Sequence, residues 1–193
     1  MITIRRALPR DAQTLAALSA TTYAQTFNYY PPEDLEHYLS TTYTTENYLT
    51  YLADPSTAIW LAEGTDAGTP LGYVMAGPAC LPRPDCSDQD GELKRLYVLA
   101  DQQGSGLGTR LLETALEWLE REHPYRSLWL GSGLKTTAPS ASTSATALRA
   151  LVTTTSRSVP LKTTSSFSEE TPDRFHIKSP ASLTGKPGCA VLV

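Results

Sequence analysis

Residues 96–112 read LYVLADQQGSGLGTRLL, and the fold turns on how that run divides. Leu96, Tyr97, Val98 and Leu99 end an apolar strand, while Leu111, Leu112, Ala115, Leu116 and Leu119 recur at helical spacing. Between them a loop holds Gly104, Gly106 and Gly108, and the helix is expected to begin near Thr109. The start of a helix offers backbone N–H groups without intrahelical acceptors, at the positive end of the dipole. A strand–loop–helix turn of this kind therefore suits a diphosphate. Glycines let the backbone approach such a group and adopt positive φ. The same spacing equally describes a tight turn with no ligand. A dinucleotide fingerprint is excluded by the glycine spacing and by the late position of the loop. GSGLKTT at residues 131–137 imitates a P-loop, but Leu134 stands where the second glycine must be.

Outward from this run the chain alternates readable elements. Ile2 and Ile4 alternate with Thr3 and Arg5 as a half-buried strand. Pro9, Arg10 and Asp11 open a helix carrying Leu15, Leu18, Tyr23 and Phe27. Pro31-Pro32-Glu33-Asp34 opens a second with Leu35, Leu39 and Tyr43, and TENYLTYLAD supplies a third. Ala58–Ala62 and Leu71–Ala76 form an antiparallel pair. The loop CLPRPDCSDQD leads into the strand GELKRLYVL, and SLWLG follows the long helix as a last strand. The order βααα-ββ-βαβ predicts an α/β fold, a mixed sheet flanked by helices.

Composition narrows the function classes. The net charge of -4 comes without a basic run, which argues against nucleic acid as a partner. No stretch is apolar for long enough to cross a bilayer, and MITIRRALPRD lacks the core of a leader, so no membrane role is expected. Cys80, Cys86 and Cys189 form neither an even disulfide set nor a metal spacing, so the expectation is free thiols in a cytoplasmic protein without a metal.

The letters Gln103, Gly106 and Gly108, read as Q-x-x-G-x-G directly after L-Y-V, resemble the GNAT superfamily of acyl-CoA N-acyltransferases. The resemblance covers Ile2 to about Gly131. It implies acetyl-CoA as co-substrate and a primary amine as acceptor: a polyamine, a small-molecule amine or a peptide N-terminus. TTYAQTFNYYPPEDLEHYL and ELKRLYV are further similar to a bacterial subgroup that acetylates polyamines such as spermidine. Homodimers are frequent in the superfamily, so self-association is an expectation. By resemblance, the backbone at Tyr97, Val98 and Leu99 pairs with the pantetheine arm. Gln103, Gly104, Ser105, Gly106, Leu107, Gly108 and Thr109 bind the diphosphate. Glu92 is the candidate base for the amine proton, directly or through a water; it reads equally as a solvated carboxylate at a strand end. Tyr29 and Tyr30 stand where family members line the acceptor pocket, although such aromatics also serve as packing. His37 and His123 lack motif partners and read as surface residues. No Cys or Ser sits with a base as a nucleophile, so direct transfer is implied. The other function class is a non-catalytic acyl-CoA-binding module or an inactive truncated product.

The pattern breaks after Gly131. All ten Tyr and all three Trp lie at or before Trp129. Beyond it roughly a third of the residues are Ser or Thr, too polar to form a core of their own. The superfamily continues there with N-x-x-A-x-x-F-Y-x-x-x-G-F, whose Tyr often protonates the leaving thiolate. Read one base earlier, the codons from Gly131 permit GVWSENYRAQRFYQRYGF, in which that motif is complete. The expected organisation is a catalytic domain over residues 1–131 and an unstructured, out-of-frame segment over residues 132–193. A genuine Ser/Thr-rich tail is the alternative.

Overall fold

A computed structural model of the chain describes residues 1–65, 68–80, 86–121, 127–132 and 161–165. The helices are α1 (Ala12–Thr26), α2 (Pro32–Thr42), α3 (Thr45–Ala53) and α4 (Leu107–Arg121). The strands are β1 (Ile2–Arg6), β2 (Ala58–Gly64), β3 (Pro70–Pro78), β4 (Gly91–Val98), β5 (Leu128–Ser132) and β6 (Leu161–Ser165). They form one mixed sheet in the order β1-β2-β3-β4-β5-β6. Its first four strands are antiparallel, and β5 and β6 run parallel to β4. The expected mixed sheet with flanking helices is thus present. His123, Cys189 and most of residues 132–193 lie outside the described residues. Strand β6, however, falls within the stretch whose composition predicts no order.

Two apolar layers hold the sheet between helices. Alternation sends Ala58, Trp60 and Ala62 of β2 to one face with Val74, Leu93 and Leu96, where α4 covers them with Leu107, Leu111, Leu112, Ala115, Leu116 and Leu119. Ile59, Leu61, Tyr73, Met75 and Tyr97 face the other way, onto Leu15 and Leu18 of α1 and Tyr48 and Tyr51 of α3. Strands covered on both sides read as continuous apolar runs, which is why β2 and β3 are legible without strict alternation.

Strand β4 departs from a regular ladder in two places. Met75 pairs with Arg95 but Ala76 pairs with Leu93, so Lys94 is an extra residue, a β-bulge. The bulge is why Leu93 and Leu96 can share the α4 face although three apart. The ladder with β5 also ends early, at Leu93 opposite Leu130, while β4 runs on to Val98. From Lys94 onward the two parallel strands part, and among the described residues β4 shows a backbone edge there.

Candidate functional site

The glycine loop stands at the end of β4. A short helical turn spans Ala100–Gln102, and Gln103, Gly104, Ser105 and Gly106 are exposed beyond it. Gly104 and Gly106 have φ of 77° and 81°. Left-handed backbone of this kind favours glycine, and a Cβ at either position would meet nothing within 4 Å, so conformation alone demands glycine there. Helix α4 starts at Leu107, ahead of the expected Thr109, because Gly106 already acts as its cap: its carbonyl accepts the Arg110 N–H at 3.2 Å. Ser105 Oγ takes the Leu107 N–H at 3.4 Å. The N–H groups of Gly108 and Thr109 then belong to the first turn, where a helix has no internal acceptor. An exposed loop with left-handed glycines running into first-turn amides has the donors and the space a diphosphate needs.

Of the three residues at the end of β4 and just beyond it expected to meet a pantetheine arm, Leu99 is already engaged. Its N–H is given to Leu71 O at 2.9 Å, and its carbonyl accepts the Gln102 N–H at 2.9 Å. With a period of two along the strand, the Tyr97 backbone turns toward β3 as that of Leu99 does. Val98 turns to the open edge. Of the three, Val98 alone thus has backbone groups directed away from β3.

Glu92 is not the solvated strand-end carboxylate that its letters also allow. It is fully buried, opposite Gly77 on β3 and Trp129 on β5. Its Oε2 accepts the Cys80 N–H at 3.0 Å and lies 3.2 Å from Lys94 Nζ, itself buried. Its Oε1 has no hydrogen-bond partner among the described residues. A buried lone oxygen of this kind is where an ordered water would be held. Cys80 is disulfide-bonded rather than a free thiol, because a count of three sulfurs cannot fix which two meet.

Tyr29 and Tyr30 follow α1, stacked on each other at 4.9 Å between ring centres, with Phe27 beside both. Tyr29 is 52% exposed, the rarer state for an aromatic ring. Partial burial, with Tyr30 alongside, pushes its phenol up to about 12. His37 is exposed, as expected.

Sequence reasoning missed Lys94 and Arg95. The E-x-K spacing of Glu92 and Lys94 was the available signal, since residues two apart share a strand face. Arg95 gave none, because arginine on a strand usually reaches solvent. Here its guanidinium is buried over the rings of Tyr43, Tyr48 and Tyr51 at 5.2–5.6 Å, and its Nη1 donates to Tyr48 Oη at 3.0 Å. Burial opposes its charge, while the surrounding tyrosines favour it. Tyr48 Oη is further bonded to Ser19 Oγ and, at 3.2 Å, to Tyr73 Oη. Among the described residues no helix is long and apolar enough to cross a membrane, and no cluster of His, Cys, Asp or Glu could hold a metal.

Residues 20–142 match the model of the acetyltransferase (GNAT) family, a match that runs past Gly131. An uncharacterised N-acetyltransferase of Mycobacterium bovis is 33% identical over 113 residues, 56% of this chain and 67% of that one. One of Archaeoglobus fulgidus is 45% identical over 42 residues, 21% of this chain and 29% of its own length. In fold, the chain is similar to the PaiA N-acetyltransferase of Thermoplasma acidophilum, solved in complex with coenzyme A. The TM-score is 0.60 and the identity 18%, covering 76% of this chain and 88% of that one.

Proposed function

This chain belongs to the acetyltransferase (GNAT) family, and from that premise we propose that it catalyses direct acetyl transfer from acetyl-CoA to a primary amine. Acetyl-CoA supplies the acetyl group and departs as the thiol. The loop Gln103–Thr109 holds the diphosphate on the first-turn amides of α4, with Gly104 and Gly106 giving the loop its shape. Val98 lends its backbone to the pantetheine arm where β4 leaves β5. Glu92 receives the amine proton at its unpartnered Oε1 through a water. Tyr29 and Tyr30 line the approach of the acceptor. A polyamine is the acceptor class we favour, and acids in the first turn of α2, Glu33 and Asp34, would attract its charge.

The left-handed Gly104–Gly106 turn running into α4 is the observation that carries this reading. Its test is calorimetric titration of coenzyme A into the wild-type chain and Gly106→Ala, alongside thiol release from acetyl-CoA with spermidine, a diamine and a peptide. Forcing Ala into positive φ costs about 1–2 kcal/mol, so coenzyme A affinity should fall by roughly fivefold to thirtyfold. Equal affinity for the two proteins would remove the loop from the site. Binding without thiol release would favour a non-catalytic acyl-CoA-binding module.

A further inference from the structure

We propose that Lys94 is the positioning residue that keeps the Glu92 carboxylate ionised and fixes which of its oxygens takes the proton, an inference that rests on Glu92 being the base. Strand alternation brings Lys94 to this role. Leu93 and Leu96 occupy the α4 face, so Glu92 lies on the other face, and Lys94, two residues on, shares it. Its Nζ stands 3.2 Å from Glu92 Oε2 and 3.2 Å from Cys80 Sγ. Space for its stem comes from Gly77, where a Cβ would lie 3.2 Å from Lys94 Cε.

The chemistry follows from burial. A carboxylate without water or a partner takes up a proton and goes neutral, which would end its use as a base. One buried ammonium opposes this. It does so at Oε2, together with the Cys80 N–H, and thereby leaves the lone pairs of Oε1 for the proton. Among the described residues, the other groups facing the pair are few. Ser56 and Thr57 precede β2 and are neutral, and Trp129 comes from β5. Asp54, after α3, is within the electrostatic reach of Lys94. Asp90 is turned to Trp129 Nε1 at 3.0 Å, and Arg95 to Tyr48.

The experiment follows the Glu92 side-chain carboxyl by carbon NMR across pH in the full chain. Removing an opposite charge at this range should raise its titration midpoint by about 1–3 pH units in Lys94→Met. Lys94→Arg, which keeps the charge, should hold the midpoint close to that of the wild-type chain. Lys94→Gln keeps a donor for Oε2 without the charge and serves if Lys94→Met does not fold; it should shift as Met does. A midpoint unmoved in the folded uncharged variant overturns the proposal. Glu92→Gln separates the two readings in thiol release with acetyl-CoA and spermidine. Undiminished turnover there removes Glu92 as the base, whatever the titration shows. A loss of turnover with no Lys94-dependent shift sinks only the role of Lys94.

Discussion

Gly72 passes so close beneath β4 that a Cβ on it would stand 2.8 Å from the carbonyl oxygen of Tyr97 and 3.2 Å from Val98 Cα. Both obstacles are backbone, and Leu111 Cδ1 closes the space from the α4 side at 3.3 Å. Gly72→Ala must therefore push β3 and β4 apart. Overpacking of this kind costs about 1–3 kcal/mol. Urea unfolding should show that loss, and coenzyme A titration should show weaker binding, because the displaced strand carries Val98.

Tyr48 and Tyr73 share a hydrogen bond, but their hydroxyls are not equivalent. Deleting the Tyr48 hydroxyl leaves Arg95 Nη1 buried without its acceptor, a charged donor unsatisfied. Tyr48→Phe should cost about 2–3 kcal/mol. Tyr73→Phe leaves Tyr48 its bonds to Ser19 and Arg95 and should cost about 1 kcal/mol. Equal losses in chemical denaturation would mean that the guanidinium does not depend on Tyr48.

Asp11 accepts both Arg5 Nη1 at 2.8 Å and Nη2 at 2.9 Å, and the Leu8 N–H at 2.7 Å. The hydrogen bonds from Arg5 hold its carboxyl below the ordinary range, against the opposing effect of burial. A depressed folded-state value means stabilisation that is present above about pH 4 and lost as pH falls below it. Asp11→Asn should be less stable than wild type near neutrality, and the gap should close on acidification. Thermal unfolding at pH 7, 5 and 3 reads this directly.

We propose further that the codons beyond Gly131 are out of frame. DNA sequencing across the codons for Trp129 to Thr137 should find one base gained or lost. The frame-restored chain should then unfold at higher temperature and release thiol faster. An intact frame would make the Ser/Thr-rich segment genuine.

How far the letters reach depends on the kind of information each feature uses. Strands and helices of residues 1–132 are readable because periodicity is local: the spacing of Leu111 to Leu119 has one helical solution. The start of α4 differs from its expected place because capping by Gly106 depends on a positive φ, which letters do not carry. The bulge is hidden for a different reason. LKRL fits a regular strand as well as a broken one, and only the pairing of Met75 and Ala76 with their partners reveals the extra residue. Burial of Arg95 is unreadable since its tyrosines arrive from α3 and the end of α2, distant in sequence. At the candidate site, resemblance nominates Glu92 at the start of its strand, but its burial and the loneliness of Oε1 belong to three-dimensional packing.

Without Lys94, strand β4 would be regular, with Leu93, Leu96 and Val98 on one side and Glu92, Arg95 and Tyr97 on the other. Both apolar layers would be satisfied by a chain one residue shorter. The insertion therefore adds nothing to either apolar layer; what its deletion would take away is the buried ammonium beside Glu92, leaving that carboxylate enclosed without a counter-charge. One residue thus ties the register of a strand to the charge balance of its interior, so that a shift in pairing and an uncompensated carboxylate would arrive together.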